Sequence, residues 1–579
     1  MLKLSALALL LIQGAVYAFP ADQQNRSKGR ESCRTIPTDT TWPRQEIWNR
    51  LNASVSGRLI EGKPLGSVCH GNEYDDAACA VAREQWSIPD PYFPDPVNIM
   101  SPYWQNNSCS PFTAPNTSCT LGNLPSYAIN VTSIDDVKAG INFAKKKNVR
   151  LAVKNTGHDY LGRSTGEGAV SLWMHNLKSI SFMNYTSPGY SGPAVKIGAG
   201  VQFYELYDAA AAKGLRVVGG YCPTVGIAGG YLPGGGHGPL GATYGLGADN
   251  TLEFEVITTD GLHLVASPTR HSDLYWALSG GGAGVYAIVL SVTVKGHADG
   301  PVAGATFSFN NTNDDAYFSA IQAWQTHLLD FDKVLGLNTL WHFTKEMFSL
   351  DFTTWPGANT SAMEDALAPF LRELNSLGLE VESYEATTMP RFWDHYGYYT
   401  GSLPYGPYAI NDVLGGRIIP RSTVSNSAAN LTDVFKKILE TPGFPELAIY
   451  GISNNFAHSR VGNTPQSNSV LPAWRDSLFF THVDFEVAPG TSSQELMRLQ
   501  AQMNIFEGWL RDLTPGSGGY MNEGTFDNPE WKQDFFGENY NRLLEIKEQY
   551  DPELVLYAHT MVGSDLFTIK ADGRVCIKE

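Results

Sequence analysis

The sequence predicts an α+β protein with two folded units, the second an antiparallel sheet with helices on one side. Three observations predict it. From residue 121 to 298, short β-type runs alternate with amphipathic helical runs. From 299 to 505, long helical stretches alternate with aromatic, strand-like runs. At 579 residues, with 43% hydrophobic and 17% charged side chains, the chain has ordinary globular composition and more length than one core usually uses.

Lys3 is followed by an apolar run, Leu4 to Ile12, and by Val16-Tyr17-Ala18. A basic start, a short apolar stretch and a small residue at the break make a signal peptide over 1–18, too short to span a bilayer. The expected location is therefore secreted, extracellular or in the secretory-pathway lumen. Asn52, Asn106, Asn116, Asn130, Asn184, Asn310, Asn359 and Asn430 each begin an Asn-x-Ser/Thr sequon, which agrees with that route.

Residues 19–120 are rich in Pro, Asn, Ser and Cys and read as an irregular, disulfide-stapled lead-in with short helices around Trp48 and Ala80. Six cysteines can form three bridges in several ways. The favoured pairing is Cys69 with Cys79, Cys109 with Cys119, and Cys33 with Cys576, which leaves Cys222 over.

The first folded unit opens with an alternating strand, Tyr127 to Val131. Ser133, with Asp136 three residues on, then caps a helix whose buried face holds Val137, Ile141 and Ala144. Val149 to Val153 is a strand, Val195 to Ile197 another, Tyr204 to Lys213 an Ala-rich helix and Leu215 to Val218 a strand. In the second unit, Asp314 to Leu329 and Ser361 to Leu377 read as helices and Leu340 to Phe343 as a strand. Residues 506–579 form a tail expected to fold back on the first unit.

The net charge of −17 argues against nucleic acid and against anionic membrane surfaces. Gly282-Ala283-Gly284-Val285-Tyr286-Ala287 matches a dinucleotide pattern. However, a helical run precedes it and a strand follows, the reverse of what a nicotinamide fingerprint requires.

Two loops carry chemistry. Lys154 to Ser164 follows a strand and contains Gly157, His158, Gly162 and Arg163, as a phosphate loop would. Gly219 to Gly238 is the densest glycine region and contains Cys222 and His237. Glycines allow close backbone approach, and successive free N–H groups bind anions. Together the loops resemble the FAD-binding domain of the vanillyl-alcohol oxidase superfamily, and more closely the fungal secreted branch of the berberine-bridge-enzyme-like oxidases. The tail, Asn522-Glu523 to Leu543, resembles that family's ending. Lys154-Asn155-Thr156 stands where the family often reads Arg-Ser-Gly, and Gly238-Pro239 follows His237 where a Ser-containing sequence is usual.

The resemblance implies a two-part FAD-binding domain over 121–298 and a substrate domain over 299–505. It implies FAD held bicovalently, through His158 at the flavin C8 methyl and Cys222 at C6. It also implies cofactor contacts from Lys154, Asn155, Thr156, Gly157, Gly162, Ser164, Val225, Gly226, Gly229, Gly230, Gly235, Gly236, His237, Ile288 and Asn539. The expected activity is oxidation of an alcohol, phenol, sugar or secondary metabolite, with O2 reduced to H2O2 by a monomer that binds no metal. In the family, the third residue after the cysteine, here Val225, gates oxygen.

Plant relatives carry Tyr-x-Asn-Tyr in the tail, whereas this chain has Tyr520-Met521-Asn522-Glu523. Glu523 is therefore the candidate base, with Tyr520 and Tyr540 as alternatives. Desolvation beside an apolar cleft is expected to raise its pKa towards neutrality. Trp341, Phe343, Tyr396, Tyr398, Tyr399 and Tyr405 are aromatic candidates for the cleft, most of them expected in the core. Two other readings remain: a dehydrogenase with a non-oxygen acceptor, and a secreted binding protein with a vestigial flavin site.

Overall fold

A computed structural model describes residues 32–101, 108–401, 412–444 and 446–578. The leader, Asn106 and Tyr405 lie outside these residues.

The first unit contains two sheets. In the four-stranded sheet, Leu59–Glu61, Tyr127–Asn130, Val170–Trp173 and Leu151–Lys154 lie side by side, the last three parallel. Helix Ile134–Lys147 crosses between two of these strands. Ser133 and Asp136 form its reciprocal capping box, Lys145 to Lys147 sit at the negative end of its dipole, and Asn148 ends it in the left-handed region at φ 53°. The five-stranded antiparallel sheet runs His263–Ala266, Thr251–Ile257, Ile288–Lys295, Tyr190–Gly198 and Ile180–Ser187. Both sheets feed one core with Trp48, Phe203, Phe254 and Tyr286.

Several expected boundaries shift. The strand expected at Val195 begins at Tyr190, as one arm of a hairpin with Ile180–Ser187. That partner escapes a sequence reading because it is an edge strand with no fully buried face. The strand expected over Leu215 to Val218 shrinks to Leu215–Arg216, paired only with His297–Ala298.

The second unit is a seven-stranded antiparallel sheet in the order Val381–Met389, Val302–Asn310, Met347–Pro356, Asn338–Phe343, Ala448–Ser453, Ser477–Glu486, Asp412–Pro420. Helices Asp314–Phe331, Thr360–Ser376, Arg421–Leu439 and Ser493–Leu513 share a core with one face of it. The two-residue strand period sorts the side chains. Phe479, Val483 and Phe485 join the helix-side core, while Phe480 packs in a separate core with Ile418, Ile452, Trp474 and Tyr520. Trp341 and Phe343 are fully buried on the helix side and are core residues.

The tail crosses the helix-free face without becoming a strand. Ile418 N–H donates to the Gly518 carbonyl at 2.7 Å, Ser517 Oγ to the Ile418 carbonyl at 2.7 Å, and Gly519 N–H to the Asp534 carbonyl at 2.8 Å. Beneath it, the buried Glu507 accepts from Gly416 N–H at 2.8 Å and Thr525 N–H at 3.2 Å. Three disulfides join Cys33–Cys576, Cys69–Cys79 and Cys109–Cys119, leaving Cys222 as a free thiol. No helix among the described residues is long and apolar enough to cross a membrane.

Candidate active site

Strand Leu151–Lys154 delivers the chain into the first loop. Gly157 is required there: its φ is +95°, and a Cβ would stand 2.9 Å from the Lys154 side chain. Asp159 folds the loop on itself by accepting from Arg163 N–H at 3.0 Å, Ser164 N–H at 2.7 Å and Ser164 Oγ at 2.6 Å. Lys154 is fully buried and donates to the carbonyls of Tyr92, at 3.0 Å, and Asp95. Burial, opposed by Asp95, lowers its pKa to about 8. Its charge thus ties the lead-in to the loop. Thr156 is buried, and Gly162 has φ +65°.

The second loop closes on the first. Asn155 Nδ2 donates to the Ala199 carbonyl, and a Cβ at Gly226 or Gly229 would meet the Asn155 amide at 2.7 and 3.1 Å. His158 Nε2 lies 2.8 Å from Thr224 Oγ1, and Cys222 Sγ lies 3.6 Å from the same oxygen. One hydroxyl therefore bridges the imidazole of one loop and the free thiol of the other, 64 positions apart in sequence (158 to 222). Burial and the charge of Lys154 lower the His158 pKa to about 3, so its imidazole is neutral. Burial raises the Cys222 thiol pKa against its bonds with Thr224 and Val225. Val225 is partly buried against the same core.

The glycine run then meets the tail. Gly235 and Gly236 have φ +109° and +72°. Asn522 Nδ2 donates to the Gly230 carbonyl and to Tyr520 Oη, both at 2.9 Å, and fills the space that a Cβ at Gly234 would take. Glu523 N–H donates to the Tyr520 carbonyl at 3.0 Å, which makes this segment a turn. In a regular strand Tyr520 and Asn522 would face away from Glu523; the turn brings the three together.

The Glu523 carboxylate lies 3.1 and 3.3 Å from His237 Nε2. His237 is buried among Tyr520, Phe480, Trp474 and Tyr221, and its Nδ1 is buried without a hydrogen-bond partner among the described residues. The expected upward shift of Glu523 is reversed. Burial does push its carboxyl up, but the charge and hydrogen bond of His237 and the charge of His482 outweigh it, and the pKa falls below the ordinary value. Burial also pushes the Tyr520 phenol well up, so that group is neutral.

The remaining candidates have other partners. Tyr540 Oη donates to Asp565, and its ring packs with Trp531 and Phe536. Asn539 donates to the carbonyls of Ser469 and Val470 at 3.1 and 3.3 Å. Ile288 is buried at the start of its strand. Arg163 clamps the tail, donating to the carbonyls of Met521 at 2.7 Å and His559 at 2.9 Å and to Thr560 Oγ1 at 3.1 Å. The sequence alone puts Arg163 in the phosphate loop and shows neither this role nor His482. The Phe480-x-His482-x-Asp484 alternation was the available signal for His482.

The residue set fits a flavin dinucleotide. The loops provide left-handed glycines at a close backbone approach, a buried Asn155 Oδ1 without a partner among the described residues, and a thiol kept out of the disulfides. Residues 125–267 match the family model described as FAD binding domain, and 519–562 the model described as berberine and berberine like. The chain is 42% identical to the FAD-linked oxidoreductase orf1 of Neocamarosporium betae, over 99% of this chain and 100% of that one. The crystal structure of VAO-type flavoprotein MtVAO615 from Myceliophthora thermophila C1 superposes with a TM-score of 0.90 at 42% identity, covering 94% of this chain and 100% of that one. A glucooligosaccharide oxidase from Acremonium strictum, described with a 6-S-cysteinyl, 8α-N1-histidyl FAD, shares the fold. Its TM-score is 0.62 at 18% identity, covering 76% of this chain and 92% of that one.

Proposed function

The chain belongs to the FAD-linked oxidoreductases that join an FAD-binding domain to a berberine-like segment, and from that membership we propose an oxidase with FAD linked through both His158 and Cys222. The observation that carries the reading is the Thr224 hydroxyl standing between the His158 imidazole and the free Cys222 thiol. The double linkage named for the Acremonium strictum enzyme supports the same pair here. A neutral imidazole is the nucleophilic form, and His158 is held in it. Bound in this cradle, the flavin supplies a two-electron acceptor that O2 restores, with release of H2O2.

The protein's own share is positioning and proton transfer. Glu523 is ionised at neutral pH and takes the proton of a substrate hydroxyl on a carboxylate oxygen. His237 holds that carboxylate in place from a buried, ring-lined pocket. Tyr520 and Asn522 fix the turn against the glycine loop. Val225, next to the Cys222–Thr224 pair, controls access for oxygen. The three disulfides support assembly in an oxidising compartment and hence secretion.

Acid precipitation of purified protein tests the linkage. The expected result is a yellow pellet, yellow still in His158→Ala or Cys222→Ala alone and colourless in the double variant. A colourless parent pellet, with all flavin in the supernatant, would sink the reading. For the acceptor, stopped-flow mixing of reduced enzyme with air-saturated buffer should reoxidise it faster than free flavin. Val225→Leu should slow that step and leave substrate reduction nearly intact.

A further inference from the structure

The hairpin arm Ile180–Ser187 is the outer strand of the five-stranded sheet, eight residues long and paired on one side only. Its partner fixes which backbone groups look outward. The Ser179 carbonyl accepts from Gly198 N–H at 2.8 Å, one step beyond the opposed residues Ile180 and Ile197. Bonded and non-bonded pairs alternate along an antiparallel ladder. The odd-numbered residues therefore bond inward, and Ile180, Phe182, Asn184 and Thr186 turn their N–H and C=O groups to the open side. Pro193, opposite Asn184, agrees with this phase. It has no N–H to give, and its carbonyl accepts from Gly296 N–H at 2.8 Å on the other flank.

Such an edge is a template for a further strand, and proteins usually blunt it with a charge, a proline or a cover. Both edges of the seven-stranded sheet are blunted. Val381–Met389 carries Glu382 and Glu385, and Asp412–Pro420 carries Asp412 and Arg417 and is bonded to the tail through Ile418. Residues 180–187 contain neither a charge nor a proline, and Ile180, Phe182, Met183 and Tyr185 are only partly buried. At the middle of this strand lies the sequon Asn184-Tyr185-Thr186, with Asn184 and Thr186 exposed on one face.

We propose that Asn184 carries an N-linked glycan and that this glycan keeps the edge from pairing with a second copy of the chain. The donor is a lipid-pyrophosphate-linked oligosaccharide. Its sugar C1 breaks from the pyrophosphate oxygen and bonds to Asn184 Nδ2, which gives up one proton, and the lipid pyrophosphate leaves. The ladder to Tyr190–Gly198 is untouched, because only the side chain reacts. The position is effective for a geometric reason. In a twofold antiparallel pairing, residues at the axis meet their own counterparts. Asn184 is an outward-bonding residue at the middle of the strand, so two Asn184 Cα atoms would come within about 5.5 Å, with both side chains on the same face. Two bare asparagines fit there; two bulky, branched glycans do not. The inference goes beyond the oxidase reading and rests only on passage through the secretory route.

Occupancy is read on the chain secreted from a fungal host. Peptide N-glycosidase in heavy-oxygen water converts each glycosylated asparagine of its peptides into a mass-labelled aspartate. Asn184 should be labelled in most molecules, and the intact protein should sediment as a monomer. Asn184→Gln and Thr186→Ala each destroy the sequon and should raise the apparent mass about twofold or more at the same concentration. Thr186→Ser keeps the sequon and should behave as the parent. Asn184→Lys has no glycan but restores a charge to the edge, and should stay monomeric. An unlabelled Asn184 beside other labelled sequons would overturn the proposal alone, and no label at any sequon would overturn it together with the secretory reading. Sequon-destroying variants that sediment as the parent does, or an Asn184→Lys that associates as they do, would also overturn it. The oxidase reading is untouched by any of these outcomes.

Discussion

Glu523 sits between opposed influences, and their balance sets a pH signature. Its pKa is lowered, so the base is present above the acid range and lost only as pH falls through that lowered value. Flavin reduction followed by stopped flow should therefore be flat through neutral pH and decline only on the acid side. His237→Phe removes the main opposing group, burial then dominates, and the acid limb should move to higher pH. A limb that stays put would count against the pairing. Glu523→Gln should slow reduction by roughly 10²–10⁴-fold with flavin loading unchanged. A rate within about twofold of the parent would move the base elsewhere, with Tyr520 the nearest candidate in space. Cys222 was legible in the sequence because it is the odd cysteine of seven. The charge state of Glu523 was not, because His237 lies 286 positions away and only the fold brings it within 3.1 Å.

Between the elements, Arg163 and Glu507 hold the tail to its neighbours. Arg163 carries two tail carbonyls and a threonine hydroxyl, and burial lowers its pKa to about 10. Arg163→Ala leaves those acceptors without a partner, at about 1–3 kcal/mol for each that stays dry. It should lower the melting temperature and open residues 519–562 to limited proteolysis. Glu507 behaves differently, because burial, with Asp534, raises its pKa to about 7. The folded state then holds a proton that the unfolded chain releases near pH 4.5, so this group makes stability fall as pH rises from that value to about 7. Glu507→Gln keeps an acceptor for Gly416 and Thr525 and removes the titration. The melting temperature of the variant minus that of the parent should grow from pH 5 to pH 8; a constant difference would show that Glu507 does not titrate there. The capped helix after Ser133 and the long helices of the second unit were readable from periodicity and capping, which act locally. The turn at Tyr520 was not, because the Asn522 side chain that steadies it donates to the Gly230 carbonyl, a tertiary bond across 292 positions.

At the scale of the molecule, the two-core architecture followed from the change of texture near residue 300, because each core needs its own apolar pattern. The helix-free face of the second sheet did not follow, since alternation alone cannot tell which polar residues remain partly open. The bridge from Cys33 to Cys576 spans 543 positions, far beyond the 10 spanned by each of the others. Removing a native bridge typically costs about 2–5 kcal/mol. Cys33→Ser with Cys576→Ser should therefore lower the onset of thermal unfolding and leave the flavin in the acid pellet. Loss of flavin together with the bridge would show that the two are coupled.

Cys33 and Cys576 are also cross-strand partners in the small sheet formed by Ser32–Cys33 and Val575–Ile577. Bridged there, the folded part of the chain is a ring, and the place where it is cut is a matter of gene order. A circular permutant that joins Ile577 to Ser32 through a few glycines and opens at the exposed hairpin tip between Ser187 and Tyr190 keeps every element described above. Fusion partners could then be attached at that hairpin, at the far end of the five-stranded sheet, and away from the seam where the present ends meet.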